Sequence, residues 1–425
     1  MNDSSQDEHA RIEEPHDPVG ALREPEFRRY LLGNFLALIG SQMQTVAVGW
    51  ELYERTGQAV DLGLVGLVQV IPVILFAIPA GQVIDRVDRR HVILGSLLLL
   101  SICSLTLALM SWNVAGRTGI LACLFVNGLA RTFLQPAKAS LVPQLVPRLR
   151  FPNAVTWTTS SFQLATIVGP GVGGFVIGWC KLAWVVYLLD AGVTLFFFAL
   201  VLSIAPRPSA AAREPVTWRT LLGGVEFVWR TKLVLGALTL DMFAVLFGGA
   251  TALLPIFAKD ILLAGPEGLG YLRAAPGIGA LLVSISMAFL PPLRRAGWTL
   301  LIAVAGFGAA TIVFGLTRSF PVALVMLFIT GALDMVSVII RHTLVQTRTP
   351  DEMRGRVSAV NSLFIGISNE LGEVESGFAA HWLRRESDPA FGPMAAVVSG
   401  GVGTILVVLV TALAVPSIRK YDRLR

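Results

Sequence analysis

Charge is what this chain of 425 residues has least of. Asp, Glu, Lys and Arg make up 15% of it, where a soluble domain averages about a quarter. Hydrophobic residues reach 54%, and the mean hydropathy is +0.69. Such a chain would aggregate in water, so lipid is its solvent. Cysteine is scarce. Cys103, Cys123 and Cys180 all fall in apolar segments without metal or redox spacing, and read as packing residues. The five histidines, His9, His16, His91, His342 and His381, are scattered over ends and loops. No Ser/His/Asp constellation or metal cluster stands out, which argues against an enzyme. A Gly-x-x-x-x-Gly-Lys-Ser/Thr loop is missing too, which argues against direct ATP drive. No cofactor is expected. The net charge of +6 reads as membrane topology rather than nucleic-acid binding.

What the chain does have is a repeat. Leu124-Phe125-x-x-Gly128 recurs as Leu327-Phe328-x-x-Gly331, and Leu141-Val142-x-x-x-x-Pro147 as Leu344-Val345-x-x-x-x-Pro350. Gly169-x-x-x-x-Gly174-Phe175 recurs as Gly372-x-x-x-x-Gly377-Phe378, so one offset (327 − 124 = 203) serves all three. Two parallel copies in an apolar chain are the mark of a two-bundle membrane transporter.

Apolar runs long enough to cross a bilayer as helices are expected at 29–53, 59–84, 91–112, 117–139, 154–179, 182–204, 233–258, 266–290, 298–317, 320–345, 356–382 and 392–415. The expected organisation is a disordered tail (1–24), a six-helix bundle (25–204), a cytoplasmic linker (205–232), a second bundle (233–416) and a short tail (417–425). No secretory signal is expected before the first span. Within the linker, 217–231 is expected as an amphipathic surface helix anchored by Trp218, Phe227 and Trp229. With the N-terminus inside, 25 basic residues fall on the cytoplasmic side. Eight, Arg273 among them, fall outside, so both termini face the cytoplasm.

The loop after span two reads Gly81-Gln82-Val83-Ile84-Asp85-Arg86-Val87-Asp88-Arg89-Arg90. Gly81 is expected to admit a neighbouring helix. Asp85 can meet a helix N-terminus or an arginine, and Arg86, Arg89 and Arg90 can bind acidic partners when the inner face closes. The alternative is a positive-inside loop without a gating role. The spacing resembles the Gly-x-x-x-Asp-Arg-x-x-Arg-Arg signature of the major facilitator superfamily. Span five holds Gly169-Pro170-Gly171-Val172-Gly173-Gly174. It resembles the glycine–proline motif of that superfamily's exporters, and is read as tight packing with or without a role in blocking leak.

Stretches 22–29, 135–147, 241–255 and 369–377 resemble the branch containing enterobactin exporters and macrolide efflux proteins. The resemblance implies an all-α membrane protein with twelve spans in two pseudo-symmetric bundles. It also implies a monomer in the bacterial inner membrane that exports an amphipathic small molecule, a drug-like compound or a siderophore, in exchange for protons. A proton-coupled or facilitated importer and a lipid flippase remain the rivals. Many antiporters of the superfamily place an arginine in span four, four residues before a glycine. That glycine matches Gly128, but the matching position here is Leu124, and the nearest basic residue is Arg131.

Ionisable residues inside spans are functional-site candidates. Glu370 falls near the middle of span eleven, with Glu373 one turn away on the same face. Carboxylates this close cannot all be ionised cheaply, which suits either proton handling or pairing with basic residues. Glu375 points elsewhere and reads as structural. Asp241, in span seven, is a further proton or substrate candidate. Arg131 and Asp334 are repeat-equivalent (131 + 203 = 334) and are expected to face each other near the pseudo-two-fold axis. Lys138 and Arg341, also equivalent, read as boundary anchors. Asp190 lacks an evident partner, and Glu51 is expected to reach interfacial water. Asn34, Gln42 and Gln44 suit either a cavity lining or interhelical bonds. The aromatics Trp157, Phe162, Phe243 and Phe247 could line an apolar pocket, but at helical spacing they read more readily as core or lipid-facing.

Overall fold

The computed structural model describes residues 17–113, 116–205, 218–248, 250–289, 295–419 and 421. The long apolar runs are helical over nearly all of their described residues, all but one as a single helix, because a backbone in lipid must satisfy its own hydrogen bonds. The first half holds α1 (Pro25–Thr56), α2 (Ala59–Arg86), α3 (Arg89–Trp112), α4 (Arg117–Leu145), α5 (Phe151–Cys180) and α6 (Trp184–Leu202). A connecting helix, α7 (Trp218–Arg230), leads to α8 (Lys232–Phe247) and α9 (Ala250–Ile256). The second half continues with α10 (Gly265–Phe289), α11 (Ala296–Leu316), α12 (Phe320–Arg348), α13 (Asp351–Trp382), α14 (Phe391–Ala414) and α15 (Pro416–Arg419). Local signals set the ends. Gly57 terminates α1 in the left-handed region at φ 61°. Asp88 caps α3, accepting from the Arg90 amide at 2.9 Å.

Eleven segments of the described residues are long and apolar enough to span a membrane. Helix α13, where the eleventh span was expected, is 32 residues long but too polar to meet that measure. The seventh expected span is not one helix. It stops at Gly248, resumes as α9, and ends in a π-helical turn over Phe257–Ile261. Gly249 lies outside the described residues, as do 1–16 and 206–217 of the expected tail and linker. The Trp218–Arg230 helix forms where expected, with Val228 buried and Trp229 72% exposed.

The repeat becomes a pseudo-two-fold axis. A methyl added to Gly174 of α5 would lie 2.5 Å from the Pro266 carbonyl oxygen of α10. Its mate, Gly377 of α13, would meet Gly63 Cα of α2 at 2.6 Å, and 63 + 203 is 266. Likewise Gly169 packs on Gln42 of α1, and Gly372 on Val245 of α8, the position equivalent to 42. The glycine–proline motif therefore does pack helices. Gly169 and Gly173 face α1, while Gly174 and the Pro170 carbonyl meet Gly270 across the boundary between halves.

The two ends of the molecule differ. At the end away from the termini, one apolar core joins both halves, from Met43 and Trp50 to Leu254, Phe257, Leu269 and Ala380. At the termini end there are two separate cores. One is built on Phe27, Ile93, Leu141 and Phe197, the other on Val234, Leu300, Leu344 and Ile418. Helices α2 and α13 run antiparallel and touch at Gly63 and Gly377, whereas among the described residues nothing lies within 4 Å of a methyl built on Gly81 or Gly366. The halves are closed at one end and parted at the other.

Candidate functional site

Between the halves, α1, α2, α4, α9, α10 and α13 enclose a cavity of about 140 Å³ in which Arg131, Arg273, Glu370 and Glu373 converge. Small residues set its geometry. A methyl on Gly66 of α2 would sit 2.8 Å from the Glu370 carbonyl oxygen and 3.0 Å from Glu373 Cβ, so only glycine brings these carboxylates so close to the first half. Glu370 and Glu373 lie within Coulombic reach of each other. Arg131 faces Glu370 across the boundary and Asp190 within its own half. Arg273 faces Glu373, and among the described residues its buried Nε has no hydrogen-bond partner. The Arg131 Nη2 donates to Ser41 Oγ at 2.9 Å. Two cations and two carboxylates thus share a low-dielectric space, where moving one proton changes the balance of every pair.

Arg273 was missed as a site residue and assigned to the exterior. It lies in α10 and lines this cavity. Its signal was legible: an arginine within an apolar span is expensive unless a partner waits inside.

Below this cavity, toward the termini end, the first half holds a chamber of about 170 Å³ lined by Ser41, Gln44, Asn127, Arg131, Lys138 and Asp190, among others. A polar chain crosses its wall. Asn127 Nδ2 donates to Gln44 Oε1 at 3.3 Å, Gln44 Nε2 to Ser104 Oγ at 2.9 Å, and Ser104 Oγ to Asp190 Oδ2 at 2.6 Å. Asp190 thereby gains the partners that the sequence left unnamed. Lys138 is no boundary anchor, since its Nζ donates to Asn34 Oδ1 at 2.9 Å inside the bundle. Phe162 and Gln42 also line the chamber.

The second half differs. Asp241 forms a buried ion pair with Arg341, so Arg341 too is no surface anchor. Asp334 lines a small cavity with Asp241, Phe307 and Ser337. Among the described residues it makes no ion pair with Arg131, contrary to expectation. Arg131 is turned toward the cavity between the halves, while Asp334 points among α8, α11 and α12.

Other expectations are revised. Glu51 is buried, not interfacial. It pairs with Arg55 and accepts from Ser111 Oγ and Tyr187 Oη, each at 2.6 Å. Cys103 and Cys123 pack as expected, but Cys180 is exposed at the end of α5. Glu375 contacts Ser376 and does not line the cavity. Phe243 and Phe247 stack on each other with centroids 6.1 Å apart. Among the described residues a methyl on Gly81 would meet nothing within 4 Å. Arg90 donates to the carbonyls of Val201 and Leu202 at 3.3 and 2.7 Å, tying the loop to the end of α6, and Arg86 is exposed. The side chain of Asp85, and Arg294 of the matching loop, lie outside the described residues. At the closed end Tyr53 donates to Asp260 across the halves, and Lys259 sits 5.7 Å from the Tyr53 ring centroid.

Paired helix bundles related by a repeat, with a charged cavity at their boundary, define a multi-pass membrane transporter of the major facilitator type, and not an enzyme. Residues 16–386 match the transmembrane secretion effector family, and the chain belongs to that branch of the major facilitator superfamily. It is 24% identical to the enterobactin exporter EntS of Shigella boydii serotype 18 and 23% identical to that of Escherichia coli O1:K1, over 93% of both chains in each case. Its fold is similar to that of a bacterial homolog of the human lysosomal transporter Spinster, solved inward-facing and occupied. That match has a TM-score of 0.74 and 16% identity, and covers 94% of this chain and 97% of the other. A mutant of the nucleoside transporter NupG matches with a TM-score of 0.71 and 13% identity, over 91% and 99%.

Proposed function

We propose that this protein exports a moderately large amphipathic organic molecule, a drug-like compound or a siderophore, across the bacterial cytoplasmic membrane in exchange for protons. The observation behind this reading is the convergence of Glu370 and Glu373 with Arg131 and Arg273 where the halves meet. When Glu370 is ionised it holds Arg131 toward the second half. When it takes a proton, Arg131 is left to Asp190 in the first half. The proton therefore changes the attraction between halves, which is what alternating access requires. The proton enters from outside and leaves to the cytoplasm, and no bond of the cargo changes. The termini end is the cytoplasmic end, given its excess of basic residues, so the open end faces the compartment from which an exporter loads. The likeness to enterobactin exporters supports the direction and the class of cargo. The protein works as a monomer, with protons, cargo and lipid as its partners.

The test is proton flux in proteoliposomes with an acidic, dye-loaded interior, to which macrolides, catechol siderophores and lipophilic cations are added in turn. A cargo that collapses the gradient with wild-type protein, but not with Glu370→Gln, is the expected result. Cargo flux that is indifferent to the gradient overturns proton exchange.

A further inference from the structure

The repeat places Lys138 of α4 and Arg341 of α12 at equivalent positions, since 138 + 203 is 341. Both enter the interior of their own half, yet they are neutralised differently. Arg341 has a carboxylate of its own chain, Asp241 of α8, in a buried ion pair, and the adjoining cavity holds only about 10 Å³. The residue equivalent to Asp241 in the first half is Leu38 (241 − 203 = 38). Leu38 lines the chamber of about 170 Å³ that Lys138 faces.

Among the described residues no carboxylate pairs with Lys138. Its hydrogen-bond partner is the neutral Asn34 amide, 2.9 Å away. The other charges of the chamber are committed elsewhere. Asp190 accepts from Ser104 at 2.6 Å and faces Arg131, and Arg131 also faces Glu370. Even a part-buried ammonium without a counter-ion is costly, and this one borders a chamber with room for a ligand. Around it stand Gln135, Ser41 and Thr194 for hydrogen bonding, with Phe162 for apolar contact.

We propose that the cargo supplies the missing carboxylate-like charge. The substrate is an organic anion whose head group seats on Lys138 in the first-half chamber and whose apolar body extends past Phe162 toward the other half. This rests on the transport reading above and narrows it. One half carries its anion permanently, and the other receives it with each load. The chemistry fits a carboxylate or an acidic phenol, and it disfavours cationic drugs, whose charge would meet Lys138.

The experiment is equilibrium binding to the full chain in nanodiscs, corrected with empty discs, of three probes with the same ring: 2-naphthoate, 2-naphthamide and 2-naphthylmethylammonium. Wild type should bind the anion about tenfold or more tightly than the amide, with the ammonium weakest. Lys138→Met should erase that preference. Leu38→Asp should erase it too while removing no cation, because it plants in the first half the carboxylate that the second half already has. Leu38→Asn, polar but uncharged, should lose less anion binding than Leu38→Asp. Equal binding of the three probes, absence of naphthoate binding, or a preference that survives both Lys138→Met and Leu38→Asp overturns the proposal. Gradient-coupled efflux of a cationic or neutral cargo without anion binding overturns it and spares the transport reading. Anion binding with no gradient-coupled flux of any cargo does the opposite.

Discussion

The two halves share a backbone plan and differ in what fills it. The second half closes around its own charges, with Arg341 on Asp241 beside a cavity too small for more than a water. The first half leaves a chamber, and its part-buried cations Arg131 and Lys138 face that space. Duplicated helices thus give equal scaffolds, while side chains at equivalent positions decide which half is a strut and which a receptacle.

The sharpest way to break this comparison is to remove the equivalent cations. Arg341→Ala should cost about 3–5 kcal/mol, because it leaves Asp241 charged and alone in a buried site. Adding Asp241→Ala should recover part of that loss. Lys138→Ala should cost no more than about 1 kcal/mol, since a neutral amide loses its partner while a cation without a counter-ion is removed. Thermal unfolding in detergent reads both, and equal losses in the two halves would end the strut-and-receptacle distinction.

Next in size are the reciprocal glycines of the closed end. Gly174→Leu and Gly377→Leu should each cost about 1–3 kcal/mol of closed-end packing and favour the state in which this end opens. Reactivity of a cysteine introduced at Gly49, where α1 meets Pro255, should rise in both variants. A rise in one alone would show that the two boundary contacts, α5 with α10 and α2 with α13, are not energetic equals.

Tyr53→Phe removes one hydrogen bond between halves that has no repeat-equivalent, since position 256 is Ile. It should shift the closed-end equilibrium by about 1 kcal/mol, measurable as a several-fold increase in the same cysteine reactivity. The smallest effect separates the thiols. A membrane-permeant maleimide should label Cys180 readily and leave Cys103 and Cys123 unmodified in folded protein, with no change in unfolding temperature.

Much of the site was legible in particular residues. Glu370 and Glu373 stood out because carboxylates in an apolar span demand a reason, and the structure places both at the boundary cavity. Arg131 was legible for the same cause, but its partner was not. The repeat pointed to Asp334, whereas Arg131 reaches the cavity between the halves and Asp334 stays among α8, α11 and α12. Arg273, Lys138 and Arg341 were read as boundary charges because span ends cannot be fixed to a turn from hydropathy, and one turn separates interface from interior. Glu51 was sent to water on the same ground, although Tyr187 and Ser111 from distant helices enclose it.

By itself, the sequence determined the solvent, the helices, the duplicated plan and the glycines that let helices touch, because each follows from local composition or a fixed offset. Only the tertiary structure decided which charges meet, which end is closed, and which half is hollow. Those depend on how helices far apart in the chain rotate and pack against one another, and a Coulomb interaction acts through distance in space.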